Sequence, residues 1–250
     1  MKKTVLAVLI AAAFAPSLAM AEAGDIVVRL RATNINPEVS SELGKKTNEA
    51  YASSVLGSNT SAALYGNNDA KLEVDSNTIP EIDFSYYITK NIAVELIAAL
   101  GSKHKVNVSG PSGSGAVNLD HNLGTVNLLP PTLTAQWHFM PDQTFDPYAG
   151  AGVSYVRAMD DGLTADTSIG SYPIRIDRSM WGPAVQAGFD VNLQDRWLVN
   201  FDVKKIWVNT DVKMNLSGAP SSLGLAGGYQ TIDHLDINPW VISVGFGKKF

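Results

Sequence analysis

Trp240-Val-Ile-Ser-Val-Gly-Phe-Gly-Lys-Lys-Phe250 is the stretch on which the fold turns. Counting back by twos from Phe250, Lys248, Phe246, Val244, Ile242 and Trp240 share one face of an extended strand. Lys249, Gly247, Gly245, Ser243 and Val241 share the other. A soluble sheet would bury the first face in a core. Here an aromatic stands at each end of a span about ten residues long, the length of a tilted strand crossing a bilayer. The segment predicts the closing strand of a transmembrane barrel.

Working outward, the same period-two alternation recurs about eight times along the chain. With the larger apolar residues outward, Ile26, Val28 and Leu30 oppose Val27, Arg29 and Arg31. Ile82, Phe84, Tyr86 and Ile88 oppose Glu81, Asp83, Ser85 and Tyr87, and Ile92, Val94, Leu96, Ala98 and Leu100 leave Glu95 inside. Further strands turn Leu133, Ala135, Trp137 and Phe139 outward, then Ala149, Ala151, Val153 and Tyr155. Trp181, Val185, Ala187, Phe189 and Val191 oppose Gln186, Gly188 and Asp190, and Trp197, Val199, Phe201 and Val203 oppose Asn200, Asp202 and Lys204. The connections alternate as well. Thr89 to Asn91, Met140 to Asp146 and Leu193 to Asp195 are short, whereas 35–77, 104–124, 158–179 and 210–235 are long and rich in Gly, Ser, Asn and Asp. An all-β, eight-stranded antiparallel transmembrane β-barrel with four long extracellular loops and short periplasmic turns is the architecture this predicts. A soluble lipocalin-like barrel would need the apolar face inside; here the charged face is expected inside.

The amino terminus gives a matching address. Lys2 and Lys3 precede an apolar run from Val5 to Phe14, then Pro16 and Ala19-Met20-Ala21. Residues 1–21 read as a cleaved secretory signal peptide and 22–250 as one outer-membrane barrel domain. The alternative, a spanning helix, is opposed by the short run and by Pro16, and no later segment reaches the roughly 18 to 20 apolar residues such a helix needs. There is no cysteine among the 250 residues, so the exported chain uses no disulfide. The net charge of −5, without a basic patch among aromatics, argues against nucleic acid. Mean hydropathy of +0.02 fits alternating strands averaged with polar loops, and fits a soluble β protein equally.

Strands descending from the long loops carry proline near their outer ends: Pro80, Pro130-Pro131, Pro183 and Pro239. Proline donates no hydrogen bond to a ladder, so these positions predict weakened pairing, bulges or kinks in one ring; the plainer reading is that they mark strand starts. At Pro130-Pro131, Val126 and Leu128 precede the pair in the opposite face register, which points to a bulge.

An eight-stranded barrel is just wide enough for its side chains to fill it. Arg29, Arg31, Glu81, Asp83, Glu95, Asp190, Asp202 and Lys204 are expected to form a charge network that satisfies buried polar groups and plugs the periplasmic half, with a narrow ion path as the alternative. His104, His121 and His234, beside Asp120 and Asp233, could supply a surface hydrolase, but no Gly-x-Ser-x-Gly or other signature accompanies them. Four scattered histidines without a His-x-x-x-His pair do not make a metal site, and Gly110 to Gly115 lacks the Lys-Ser or Lys-Thr of a phosphate loop. No enzyme activity, cofactor or metal is expected.

Leu129-Pro-Pro-Thr-Leu-Thr-Ala-Gln-Trp-His-Phe139, Pro147-Tyr-Ala-Gly-Ala-Gly-Val-Ser-Tyr155, Arg196-Trp-Leu-Val-Asn200 and Asn238-Pro-Trp-Val-Ile242, in that order, resemble signatures of the OmpW/AlkL outer-membrane proteins. Glu22-Ala-Gly-Asp25 and Asn91-Ile-Ala-Val-Glu-Leu96 fit too; the loop from Lys45 to Asp75 is longer than usual there, and the tail reads Gly-Lys-Lys-Phe instead of Gly-Tyr-Arg-Phe. The resemblance implies a passive channel for small hydrophobic molecules, with an apolar funnel among the loops, a closed periplasmic half and sideways release into the bilayer. Pro130, Pro131, Pro183 and Pro239 are then candidates for the lateral opening. The partners implied are outer-membrane lipid and lipopolysaccharide, small hydrophobic solutes, and the assembly machinery that receives a strand ending in Phe250. The competing reading is a structural or adhesive barrel acting through its loops.

Overall fold

The chain is described by a computed structural model covering residues 21–99, 101–109, 121–160, 162–225 and 227–250. Nearly all of the expected signal peptide, Leu100, Gly110 to Gly115 and Asp120 lie outside the described residues. In chain order the elements are β1 (Ile26–Asn36), α1 (Leu43–Ala50), α2 (Thr60–Tyr65), β2 (Leu72–Val74), β3 (Asn77–Tyr87), β4 (Ile92–Ala99), β5 (Ser102–Val108), β6 (Asn122–Leu129), β7 (Thr132–His138), β8 (Phe145–Asp160), β9 (Leu163–Thr167), β10 (Gly170–Ile176), β11 (Ser179–Asn192), β12 (Trp197–Ile206), β13 (Asn209–Asn215), β14 (Tyr229–Asp236) and β15 (Trp240–Lys249). Strands β1, β3, β4, β7, β8, β11, β12 and β15 pair antiparallel in that order, and β15 returns to β1 from Val27 opposite Lys249 to Asn36 opposite Trp240. Eight strands therefore close into a barrel in which every strand has a neighbour on both sides.

Aromatic pairs mark the membrane band. Phe145 and Tyr155 on β8, Trp197 on β12 and Trp207 just beyond it, and Trp240 and Phe250 around β15 are each ten residues apart. Ten steps at about 3.3 Å, tilted about 40°, give a height of roughly 25 Å, the apolar belt of an outer-membrane barrel. At the lower edge Phe145, Phe189 and Phe201 stack at centroid distances of 5.1 and 5.5 Å, and at the upper edge Tyr155 meets Trp181 at 4.5 Å. Between these rings Leu30, Phe84, Leu96, Leu133, Val153, Val185, Val199 and Val244 are all exposed on the outer surface, as the alternation predicts.

The inward face is not uniform, its charged residues lying in the lower half. On β1 the inward residues run Val27, Arg29, Arg31, then Thr33 and Ile35, all buried. Above the level of Ala32 the interior becomes apolar, with Ile79, Ile97, Val126, Val156, Ala184, Ile206 and Val241 buried in one continuous cluster. The segments expected as irregular loops are mostly strands that carry the wall beyond the membrane. On β5, Lys103 and Lys105 face out over buried His104, Val106 and Val108; on β13, Asp211, Lys213 and Asn215 alternate with buried Thr210, Val212 and Met214. The alternation inverts because the surroundings change from lipid to water, so the apolar side now belongs inside.

The longest connection closes the top. Leu43, Tyr51, Leu64 and Tyr65 from the α1 and α2 region pack on Met214, Leu216 and Ile232, each at most 2% exposed. Helix α1 has no capping side chain of its own. Asp233 of β14 supplies one, its Oδ1 accepting the Glu42 amide at 2.9 Å and its Oδ2 accepting the Ser41 hydroxyl. Burial pushes the Asp233 carboxyl above its ordinary range, against the pull of hydrogen bonds from Ser41 and the Glu42 amide.

Candidate functional site

The lower half of the lumen is filled by charge. Arg29 and Arg31, neighbours on the inward face of β1, each span several strands. Arg29 donates to Asp83 at 3.0 Å and to Asp190 at 2.6 Å. Arg31 lies 2.9 Å from both Asp83 and Glu95 and 3.4 Å from Glu81, and donates to the Asn200 side chain at 2.8 Å. Lys204 stands 3.6 Å from Asp202 and 4.0 Å from Glu95. All eight residues singled out from the sequence are thus brought together, each at most 6% exposed. Unpaired, any of these ions would be costly to bury; here each has an opposite charge within 4.0 Å. The geometry depends on glycine across the ladder. Gly245 lies opposite Arg31, and a Cβ there would stand 2.2 Å from the Leu30 carbonyl oxygen and 2.8 Å from Arg31 Cγ.

Residues without a role in the sequence reading complete this floor. Tyr148 donates to Asp202 at 2.9 Å, Gln186 and Thr134 donate to Glu95 at 2.9 and 3.1 Å, and His138 Nδ1 meets Asp146 at 2.7 Å. Gln186, Thr134 and His138 were legible as inward positions. Asp146 was assigned to a turn, and only the full length of β8 brings it inside.

Directly above lies an apolar chamber. Ile35, Val126, Leu128, Ile206, Val208 and Val241 are among its walls, and about 70 Å³ of it is free to the centre of a water molecule. The polar residues in its wall are turned on one another. His104 Nδ1 meets the Asp75 carbonyl at 2.7 Å, so it carries the proton and donates; Nε2 is then free to accept from the Ser102 hydroxyl at 2.7 Å. Their hydrogen-bonding capacity is used within the wall, which leaves hydrocarbon facing the chamber.

The four prolines do not converge on one place. Pro130 and Pro239 line the chamber; Pro131 and Pro183 do not. Around Pro239 the ladder is unbroken, with Ile206 N donating to the Pro239 carbonyl at 3.2 Å and Ile237 N to Val208 at 2.9 Å. Pro183 marks the top of the β11 and β12 ladder, where its carbonyl accepts from Trp207 N at 3.1 Å. At Pro130-Pro131 the strand stays in register with β8, from Leu129 opposite Arg157 to Thr132 opposite Ser154. On its other side, pairing stops at Ile97 opposite Thr132 and resumes at Ser102 opposite Leu128, five residue steps against four, with no pair between them among the described residues. The bulge expected within the proline strand therefore lies opposite it, and a second sits where the β6 and β8 register shifts between Asn127 and Leu128. Val126 and Leu128 face inward because the chamber is apolar, not because the strand has flipped.

The profile of the OmpW family matches residues 22–250, the whole of the described barrel and cap. The chain belongs to the OmpW family. It is 32% identical to outer membrane protein W of Vibrio cholerae over the full length of both chains. It is 26% identical to the dibenzothiophene metabolism operon protein PahQ of Pseudomonas aeruginosa, over 71% of this chain and 74% of that one. The crystal structure of OprG from Pseudomonas aeruginosa superposes with a TM-score of 0.70 at 28% identity, covering 94% of this chain and 99% of that one. As an OmpW-family barrel it is an outer-membrane protein, of a non-catalytic family associated with passage of small hydrophobic molecules across that membrane. The loop histidines are spread over separate positions in this OmpW-family chain. His104 is in the chamber wall, His121 is buried against the Val108 carbonyl at 2.9 Å, and His234 meets Asp211 on the outer surface. No group of three metal-ligating side chains occurs among the described residues.

Proposed function

We propose that this barrel takes small apolar molecules into the chamber and releases them sideways into the bilayer through the seam at Pro130-Pro131. The observation that carries the reading is an apolar chamber resting on a charge-filled floor. An apolar molecule gains by entering the chamber and would lose that gain by pushing on through buried ion pairs, so an axial route is closed to it. At the seam Pro130 lines the chamber, neither proline has an amide to close the ladder, and Leu133 outside is exposed to lipid. In this reading Pro239 belongs to the chamber lining and Pro183 to the top of the β11 and β12 ladder, and neither forms the seam. The relative named for dibenzothiophene metabolism suggests a flat aromatic heterocycle as a first probe. Residues 1–21 would direct export and then be cleaved, and the strand ending in Phe250 would be what the assembly machinery receives.

The test is uptake of dibenzothiophene into lipid vesicles holding the purified barrel, read by fluorescence. Replacing Pro130 with Val and Pro131 with Thr should slow uptake several-fold while the fraction of folded barrel, read by its heat-modifiable gel mobility, stays the same. Equal uptake by the variant would remove the seam from the mechanism. Equal uptake with and without the barrel would remove the transport reading itself.

A further inference from the structure

Among the described residues, the outer rim of the wall carries cations that join no ion pair. Arg157 on β8 faces outward one outward-facing position above Tyr155, whose ring meets Trp181 at 4.5 Å and so belongs to the upper aromatic girdle. Arg157 reaches back to the Tyr155 phenol, and that phenol shares a hydrogen bond with Ser179 Oγ at 2.9 Å. Lys103 and Lys105 face outward on β5. Lys103 is opposite Asn127 and Arg157 is opposite Leu129, two residues lower on the same strand β6. Two strand spacings and two residue rises put the Lys103 and Arg157 Cα atoms about 12 Å apart, within joint reach of one phosphate or of two on a single sugar. Neither Arg157, Lys103 nor Lys105 joins an ion pair among the described residues. Two carboxylates border the patch, Asp160 opposite Asn127 with its Oδ1 accepting the Gly162 amide at 3.1 Å, and Asp75 with its Oδ1 accepting the Lys105 amide at 2.6 Å, while Glu42, Asp211 and Asp236 surround a separate hollow at β13 and β14.

Height decides what such a patch can hold. The belt ends at Tyr155, so Arg157 stands in the headgroup layer of the outer leaflet, with Leu129, Tyr155, Trp181 and Val153 forming a shelf at and beneath it. We infer that Arg157 and Lys103 form a binding site for the phosphates of a phosphorylated glycolipid of the outer leaflet, the lipid A part of lipopolysaccharide, whose acyl chains lie on that shelf. Guanidinium and ammonium groups together suit phosphate, one by paired donors and one as a point charge. A free phosphate ion would use the cations and leave the shelf empty, which is why the lipid is the occupant chosen. Leu129 adjoins Pro130, so the bound lipid would flank the seam without forming part of the chamber.

The experiment titrates the detergent-solubilised full barrel with lipid A bearing both phosphates and counts bound lipid by native mass spectrometry. Arg157→Glu and Lys103→Glu should each weaken retention by about tenfold or more, the loss of one charge-assisted contact. Arg157→Gln should fall between wild type and Arg157→Glu, and Lys45→Glu on the cap should leave retention unchanged. Lipid A stripped of its phosphates should bind weakly and equally to all variants. Folding is controlled by heat-modifiable mobility, and Arg157 and Lys103 touch neither the floor nor the chamber. Equal retention by wild type and both Glu variants would overturn the site, as would displacement of the lipid by inorganic phosphate at matched phosphate concentration.

Discussion

Replacing Arg31 with Met removes the cation that ties the floor together, and the structure sets the size of the effect. Asp83 would keep Arg29 at 3.0 Å, and Glu95 would keep hydrogen bonds from Thr134 and Gln186 with Lys204 at 4.0 Å. Glu81 would keep no cation within 4.0 Å among the described residues, because its one ion pair is with Arg31 at 3.4 Å. Breaking a buried pair costs about 3 to 5 kcal/mol when the partner is stranded. With one of three carboxylates stranded and two still partnered, the lower end, about 3 kcal/mol, is expected. Urea unfolding in lipid vesicles, followed by tryptophan fluorescence, measures it. The double variant Arg31→Met, Glu81→Gln should recover at least about 1 kcal/mol, since it removes the stranded charge. Planar-bilayer conductance should rise in Arg31→Met while uptake of an apolar tracer does not change, as the floor is outside that route. A loss below about 1 kcal/mol, or a double variant no more stable than the single, would refute the account of the floor as a cooperative network.

Three further outcomes follow from other parts of the barrel. A Cβ at Gly152 would lie 1.9 Å from the Leu133 carbonyl oxygen, so Gly152→Val should prevent pairing of β7 with β8 and abolish the heat-modifiable folded band, while Ala151→Val on the lipid face should not. Asp233→Ala strips the borrowed cap from α1, at a cost of about 1 to 2 kcal/mol, and should expose Lys45 and Lys46 to trypsin with the barrel intact. Because burial raises the carboxyl of Asp233, the folded state favours its protonated form. Docking of the cap should therefore be firmest below the usual carboxylate range and weaken as pH rises through the raised value, seen as faster amide exchange in α1 after correction for intrinsic rates, and Asp233→Asn should flatten that dependence.

How much could be read beforehand depended on which solvent each face met. Leu30 against Arg31, or Phe201 against Asp202, is legible because lipid and a polar lumen impose opposite demands on adjacent residues. The same rule, unrecognised, was present in Thr210-Asp-Val-Lys-Met-Asn-Leu216: it alternates as cleanly, but with the apolar residues inside. Taken as a loop, it is a strand standing in water. Val126 and Leu128 looked out of phase for a related reason, since a chamber and a lipid wall both accept hydrocarbon and the pattern blurs where they meet. Asp146 and the Ser102 to His104 contact were not legible, because each depends on partners set by strand length and by Asp75, 29 residues from His104. The prolines were visible, but pairing on either side of them was not.

The reversal of the apolar side leaves one narrow zone, level with Leu128 to Pro131, where the proline strand is oily on both surfaces. If solutes leave by the proposed seam, a passenger crossing there would exchange one hydrocarbon neighbour for another without shedding or regaining hydration, so affinity for oil over water would confer no advantage at that step. Its obstacle is mechanical. Among molecules equally soluble in lipid, slender ones should outpace broad ones, and the molecule's cross-section, more than its greasiness, would then decide what this wall lets through.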